Sequence, residues 1–286
     1  MDGRLIAWVA VGLLVALQLG PVAAQDFPYS EPLEFAEFEE LDEIETDRDS
    51  FTPATTVAGF RRLIAESAWS FIDNRSVPDT NSLPEMVLRY GVSDWLELRL
   101  GWNWEAGGAA NAISSGGSFP EAETGNEIER DSQITYGLKA ALTSQGIWRP
   151  QSAVILLGGT PTYGRDTATA VIATYVFGWE LPIASPKRWK WDSAMRYSCD
   201  SSESDHFNIW APSTVLKIPL GEQWTVHGEY SGVFSQGRER DRSQHYFSPG
   251  IHYLITRDLE IGIRVGWGLN QDAPNFFANT GFGWRY

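Results

Sequence analysis

Arg62, Glu66, Glu85, Arg89, Glu97, Arg99, Lys139, Asp192, Arg196, Lys217, Glu229, His252 and Arg264 occupy polar positions in stretches whose alternate residues are apolar. A spacing of two places such residues on one face of an extended strand, opposite the apolar side chains. Acids and bases sharing one face can do one of two things. On an open sheet they make an ordinary wet exterior. Enclosed by a closed sheet they pair across the interior and set the field met by any passing solute.

Other residues raise different chemistry with less support. The histidines are His206, His227, His245 and His252, and His245 lies near Ser243 and Ser248. Barrels that cleave lipids expose Ser and His near the membrane interface, where the nucleophile meets acyl esters. No Ser-His-acid arrangement is readable from spacing, so a lipid esterase is a remote alternative. "DSSESDH" could hold Ca²⁺ through Asp200, Glu203 and Asp205, although a solvated loop explains it more plainly. Arg238, Glu239, Arg240, Asp241 and Arg242 alternate in charge and could bridge lipopolysaccharide phosphates. Surface ion pairs are the plainer reading. The single cysteine, Cys199, excludes an intrachain disulfide framework and reads as a small residue at a strand end. Neither a metal nor a cofactor is called for.

The elements carrying these residues are strands. "RRLIAESAWSFI" puts Leu63, Ala65, Ser67, Trp69 and Phe71 on one face, and "LPEMVLRYGV" puts Met86, Leu88, Tyr90 and Val92 together. "WLELRLGWNW" alternates Leu96, Leu98, Leu100, Trp102 and Trp104 with Glu97, Arg99, Gly101 and Asn103. Nine further strands follow, near 132–144, 151–160, 168–182, 189–199, 206–218, 224–234, 244–256, 259–269 and 276–286. Connections alternate between short turns such as Ser93-Asp94 and longer polar loops, the largest spanning 105–131. Short turns on one rim and long loops on the other form the pattern of an outer-membrane barrel.

Upstream, residues 1–24 read as a signal peptide, with Arg4, an apolar core from Leu5 to Leu19, and Val22-Ala23-Ala24 at the cleavage site. Residues 25–58 form an acidic leader. Its part from 25 to 50 holds eleven Asp and Glu against Arg48 alone, which accounts for most of the formal charge of -15. Such composition favours a solvated periplasmic segment; a short helix or a plug inside the body is the alternative. The body, 59–286, is nearly balanced in charge and has no basic stripe, which excludes nucleic-acid binding.

Alternation alone does not say which face meets lipid. The chain has 13 Trp, and apart from Trp8 and the more central Trp210 they sit near strand ends. Trp favours the headgroup level, where its ring is buried and its N–H stays wet. Two such girdles predict an all-β, transmembrane, up-and-down antiparallel barrel of about twelve strands in the bacterial outer membrane. "NTGFGWRY" resembles the assembly signal at the end of outer-membrane barrels, carried by Asn279, Gly281, Trp284 and Tyr286. It implies the barrel assembly machinery and outer-membrane lipid as partners. Phe276, Phe282, Trp284 and Tyr286 would face lipid.

"ETDRDSFTPATTV", the hairpin "LRYGVSDWLELRLGWNW" and the closing "LEIGIRVGWGLNQDAPNFFANTGFGWRY" resemble the MetA-pathway of phenol degradation family over residues 45–286. Its opening motif is matched by Thr46, Asp47, Arg48, Phe51 and Thr52, although a proline that often follows the arginine in relatives is Asp49 here. The resemblance implies an outer-membrane barrel associated with degradation of aromatic or other apolar compounds. The expected function is passive uptake of such a small solute through a narrow polar lumen, with the leader or the loop 105–131 as plug or gate. The runner-up is a non-conducting structural or adhesive barrel.

Overall fold

The computed structural model describes residues 43–111, 113, 127–164, 168–183, 187–202, 205–238 and 241–286. The signal segment 1–24, residues 25–42 of the leader, the centre of the loop 105–131, and Glu203, Glu239 and Arg240 lie outside the described residues, as do the side chains of Asp200, Asp205 and His206.

Twelve strands are described: β1 (Leu63–Asp73), β2 (Thr80–Ser93), β3 (Leu96–Gly107), β4 (Glu129–Thr143), β5 (Gln151–Tyr163), β6 (Ala170–Leu181), β7 (Trp189–Ser202), β8 (Asp205–Pro219), β9 (Trp224–Gln236), β10 (Ser243–Thr256), β11 (Leu259–Gly268) and β12 (Phe276–Arg285). Each pairs with its neighbours in chain order, and β1 pairs antiparallel with β12, so the sheet is a closed barrel. The seam register runs unbroken from Ile64 opposite Arg285 to Asp73 opposite Phe276. Closure satisfies every strand edge, which hydrocarbon requires because it offers no hydrogen bonds of its own.

The outward face is apolar. Leu98, Leu100, Leu156, Val171, Ile261 and Ile263 are exposed around the wall. In water this belt would be an aggregation surface; in a bilayer it is the solvent match. The shortest strands have 10 residues, enough to cross, since a tilted membrane strand needs about 9–11. Trp69, Trp102, Trp210 and Trp267 stand on the outer surface in the half nearer the long loops. Trp95, Trp191, Trp224 and Trp284 stand near the short turns. Phe282, Trp284 and Tyr286 face out, as their spacing predicts.

Three sequence expectations are corrected. Trp210 is not a mid-membrane residue: it lies opposite Phe234, two positions from the end of β9, and so joins the long-loop girdle. In the polar stretch 200–206, residues 200–202 and 205–206 are strand, with Asp200 paired to Phe207 and Ser202 to Asp205. β7 and β8 extend there with polar sequence, because ladder pairing overrides the weak strand preference of Asp and Ser. The interior is also not uniformly polar. Ala153, Ile155, Ile172, Val176, Ala194 and Val215 are buried on the inward faces of β5 to β8. β5 and β6 are apolar on both faces, so their period does not reveal what they turn inward.

Candidate functional site

Residues 43–58 carry no regular secondary structure and run inside the barrel; of the states open to the leader, this part occupies the lumen. The segment comes in beside the β10–β11 turn, where the Ile44 N–H donates to the Arg257 carbonyl at 2.9 Å. It leaves past Gly59, which has φ of 82°, beneath Gly91 of β2. A Cβ on Gly91 would lie 1.6 Å from the Gly59 carbonyl oxygen, so only glycine lets the chain turn there into β1.

Arg89 of β2 holds both arms of the loop. Its Nη1 donates to the Glu45 carbonyl at 2.9 Å and its Nη2 to the Thr56 carbonyl at 3.3 Å. The same guanidinium pairs with Glu66 of β1 and Glu97 of β3, each at 2.9 Å, and none of it is exposed. Asp47 sits at the centre. Its carboxylate meets Arg99 of β3 and Lys139 of β4, the latter at 3.0 Å, with Arg89 at 3.8 Å. Its Oδ1 also accepts the Ala54 N–H at 2.9 Å, which closes the loop on itself. Burial alone would raise the carboxyl pKa of Asp47, but the three cations outweigh that and hold it well below the ordinary carboxylate value.

The tip of the loop reaches the far wall. Glu229 of β9 accepts the N–H groups of Phe51 and Thr52 at 2.8 and 2.7 Å and the Thr52 hydroxyl at 2.8 Å. Asp49 pairs with Lys217 of β8, and Arg48 pairs with Glu85 of β2. The Asp49 carboxyl is likewise held low: burial raises it, and Lys217 with the nearby histidines more than reverses this. Thr46 lies against β12, where a Cβ on Gly283 would come 2.2 Å from its methyl group.

Beyond the loop is a cavity of ≈ 120 Å³. Its lining includes Arg48, Arg99, Arg196 and Arg264, the carboxylates of Asp47 and Glu85, and Ile155, Leu157 and Ile172. Arg196 lies opposite Thr174, and Thr174 opposite Ile155, so Arg196 and the aliphatic residues share one stretch of wall.

The structure therefore brings together Glu66, Arg89, Glu97, Arg99 and Lys139, joins Glu85 to Arg48, and pairs Arg264 with Glu229 at 3.2 Å. His252 meets His227, ring nitrogens 2.7 Å apart, and stands 3.6 Å from Glu260. Asp192 is buried under Gly178, where a Cβ would lie 1.9 Å from its Oδ1. Arg62 is not drawn into the network; it precedes β1 at the short-turn mouth, beside Gly59. Asp49 and Glu45, the loop partners of Lys217 and Lys190, had no distinguishing signal in an acidic stretch. Asn279 donates to Ser70 at 2.7 Å across the seam. Among the described side chains, His245 meets the Tyr230 hydroxyl at 2.7 Å, and the Ser248 hydroxyl points to Glu229 at 3.4 Å instead of to a histidine. Arg238 stacks over Phe207, its guanidinium carbon 4.5 Å from the ring centre.

The fold is similar to that of known outer-membrane barrels. The COG4313 outer membrane channel from Pseudomonas putida F1 superposes with a TM-score of 0.56 at 13% identity, over 81% of this chain and 98% of that one. The NanC porin superposes with a TM-score of 0.50 at 9% identity, over 78% and 98%. No curated protein matches the sequence. With the apolar belt and the girdles, this fold is that of an outer-membrane protein. A family model matches residues 46–286, from the first residue of the loop motif to the last residue of the barrel, and the chain belongs to the family described as "Putative MetA-pathway of phenol degradation".

Proposed function

We propose that the protein is an outer-membrane channel for passive uptake of a small solute that is apolar or aromatic in its main part. The observation that carries this reading is the inserted loop. It is tied to the wall largely by ion pairs and hydrogen bonds, with apolar packing added at Ile44 and Phe51, and it leaves a cavity with aliphatic side chains in its lining. Contacts of that kind can be exchanged without unfolding the barrel, and a twelve-stranded wall leaves room for little more than a compact solute. The similarity to a channel and a porin supports the same reading. The test is conductance of the purified protein in planar bilayers, with and without residues 26–50. The full chain passes small currents and the deletion passes larger ones. Silence from both forms sinks the proposal.

A second reading, a non-conducting structural barrel, is favoured by the filled interior around Arg89, where Glu66, Glu97 and Lys139 are almost wholly buried. Silent bilayers together with a correctly folded protein would support it.

A further inference from the structure

We propose that the cavity is a binding site for a small organic carboxylate with an apolar body, the carboxylate on Arg196 and the body against Ile155, Leu157 and Ile172. The site deepens the channel reading and rests on it for the route by which the solute arrives.

Arg196 of β7 differs from the other arginines of the lumen. Arg48 has Glu85, Arg99 has Asp47 and Glu97, and Arg264 has Glu229. Among the described residues Arg196 makes no ion pair. Its Nη1 is buried without a hydrogen-bond partner, and its Nη2 reaches only the Phe51 carbonyl, at 3.5 Å. Its remaining contact is the Phe51 ring, 4.5 Å from the guanidinium carbon to the ring centre. Glu229 acts on it as a nearby opposite charge but makes no ion pair with it, its oxygens being held by the loop tip and Arg264. A buried charge without a counterion is costly, and the planar guanidinium fork fits a carboxylate at two points.

The aliphatic side chains on the strands next to Arg196 decide what the carboxylate is attached to. Ile155, Leu157 and Ile172 face the same cavity. An inorganic anion would match Arg196 and leave three aliphatic side chains against water. A neutral apolar solute would do the reverse. An amphipathic monoanion satisfies both the guanidinium and the aliphatic side chains, and one unmatched cation calls for one negative charge. A volume of ≈ 120 Å³ is of the order that accommodates a single ring.

The experiment is equilibrium dialysis of labelled benzoate against the full-length protein in detergent, with acetate and benzyl alcohol as competitors. Benzoate binds saturably at one site, and acetate and benzyl alcohol compete at least tenfold more weakly. Arg196→Gln lowers benzoate affinity at least tenfold. Leu157→Trp, which fills the apolar side and leaves the arginine in place, does the same. Folding of each variant is read from the heat-dependent shift of the barrel on gels. If Arg196→Gln does not fold, Leu157→Trp and the competitor series decide. No saturable benzoate binding, unchanged affinity in a folded variant, or benzyl alcohol competing as well as benzoate overturns the proposal. Binding by a protein silent in bilayers keeps the site and removes the channel; a conducting protein that does not bind benzoate keeps the channel and removes the site.

Discussion

Glu229 grips Thr52 twice, accepting its backbone N–H at 2.7 Å and its hydroxyl at 2.8 Å, and thereby fixes the tip of the inserted loop to β9. The same carboxylate neutralises Arg264 at 3.2 Å. Glu229→Ala removes the anchor and leaves a buried guanidinium unmatched. Breaking a buried pair from one side costs about 3–5 kcal/mol, so the urea midpoint for unfolding falls clearly. Where the loss is partial, the loop becomes cleavable by protease near Phe51 while the barrel stays intact on gels.

Arg89→Lys is not a conservative change. A lysine cannot serve Glu66, Glu97 and the two loop carbonyls together, because it lacks the planar five-donor fork. We expect it to destabilise the barrel by a sizeable part of the same ~3–5 kcal/mol. Arg99→Lys, at a residue with fewer partners, costs less. Paired urea titrations of the two variants check the ranking.

Asp47 and Asp49 give the loop a defined pH dependence. Both carboxyl groups titrate below their ordinary value when the loop is docked. The undocked state therefore takes up protons first as pH falls. Their contribution is complete above about pH 4, near the ordinary Asp value, and is lost as pH falls through the depressed folded values. This contribution is flat from neutral to mildly acidic conditions and declines only below that. Asp47→Asn lowers stability at pH 7 and flattens the acid limb. Unfolding midpoints from pH 7 to pH 3 measure both effects.

Two glycines that accommodate the loop differ in what they would meet. A Cβ on Gly91 strikes the Gly59 backbone carbonyl at 1.6 Å, whereas one on Gly283 strikes the Thr46 methyl group at 2.2 Å. A backbone atom in the turn that leads into β1 has nowhere to go, while a threonine side chain can rotate. Gly91→Ala therefore reduces the yield of folded barrel far more than Gly283→Ala. Refolding into detergent, scored by gel mobility, compares them.

The belt predicts a positional effect. Leu98 and Leu100 point to lipid from β3, and Arg99 between them points inward. Leu100→Arg places a charge in hydrocarbon and costs about 2–4 kcal/mol near the midplane. Unfolding from lipid vesicles measures it.

The barrel was readable where one face is oily and the other is not. Leu96 to Trp104 states its own orientation, and so do the polar partners Glu97 and Arg99. β5 and β6 do not, because Ile155 faces inward and Leu156 outward, and nothing in their chemistry tells them apart. The loop was harder for a different reason. Acidic sequence ordinarily stays solvated, and what draws this stretch inside is a set of cations on β2, β3, β4 and β8 distant in the chain. Each of Arg89, Arg99, Lys139 and Lys217 was legible as an inward charge. Their convergence on Asp47 and Asp49 depends on barrel register, which local pattern does not encode. Arg196 looked like the others in sequence, and only the assembled interior singles it out.

The loop touches β2, β3 and β4 through Arg48 and Asp47 and reaches β8 and β9 through Asp49 and Thr52. A chord tied at two facing arcs works as a strut. It fixes how far apart those arcs stand, so the roundness of the cylinder is set from within by one short stretch of chain, and cutting that brace lets the cross-section flatten or swell.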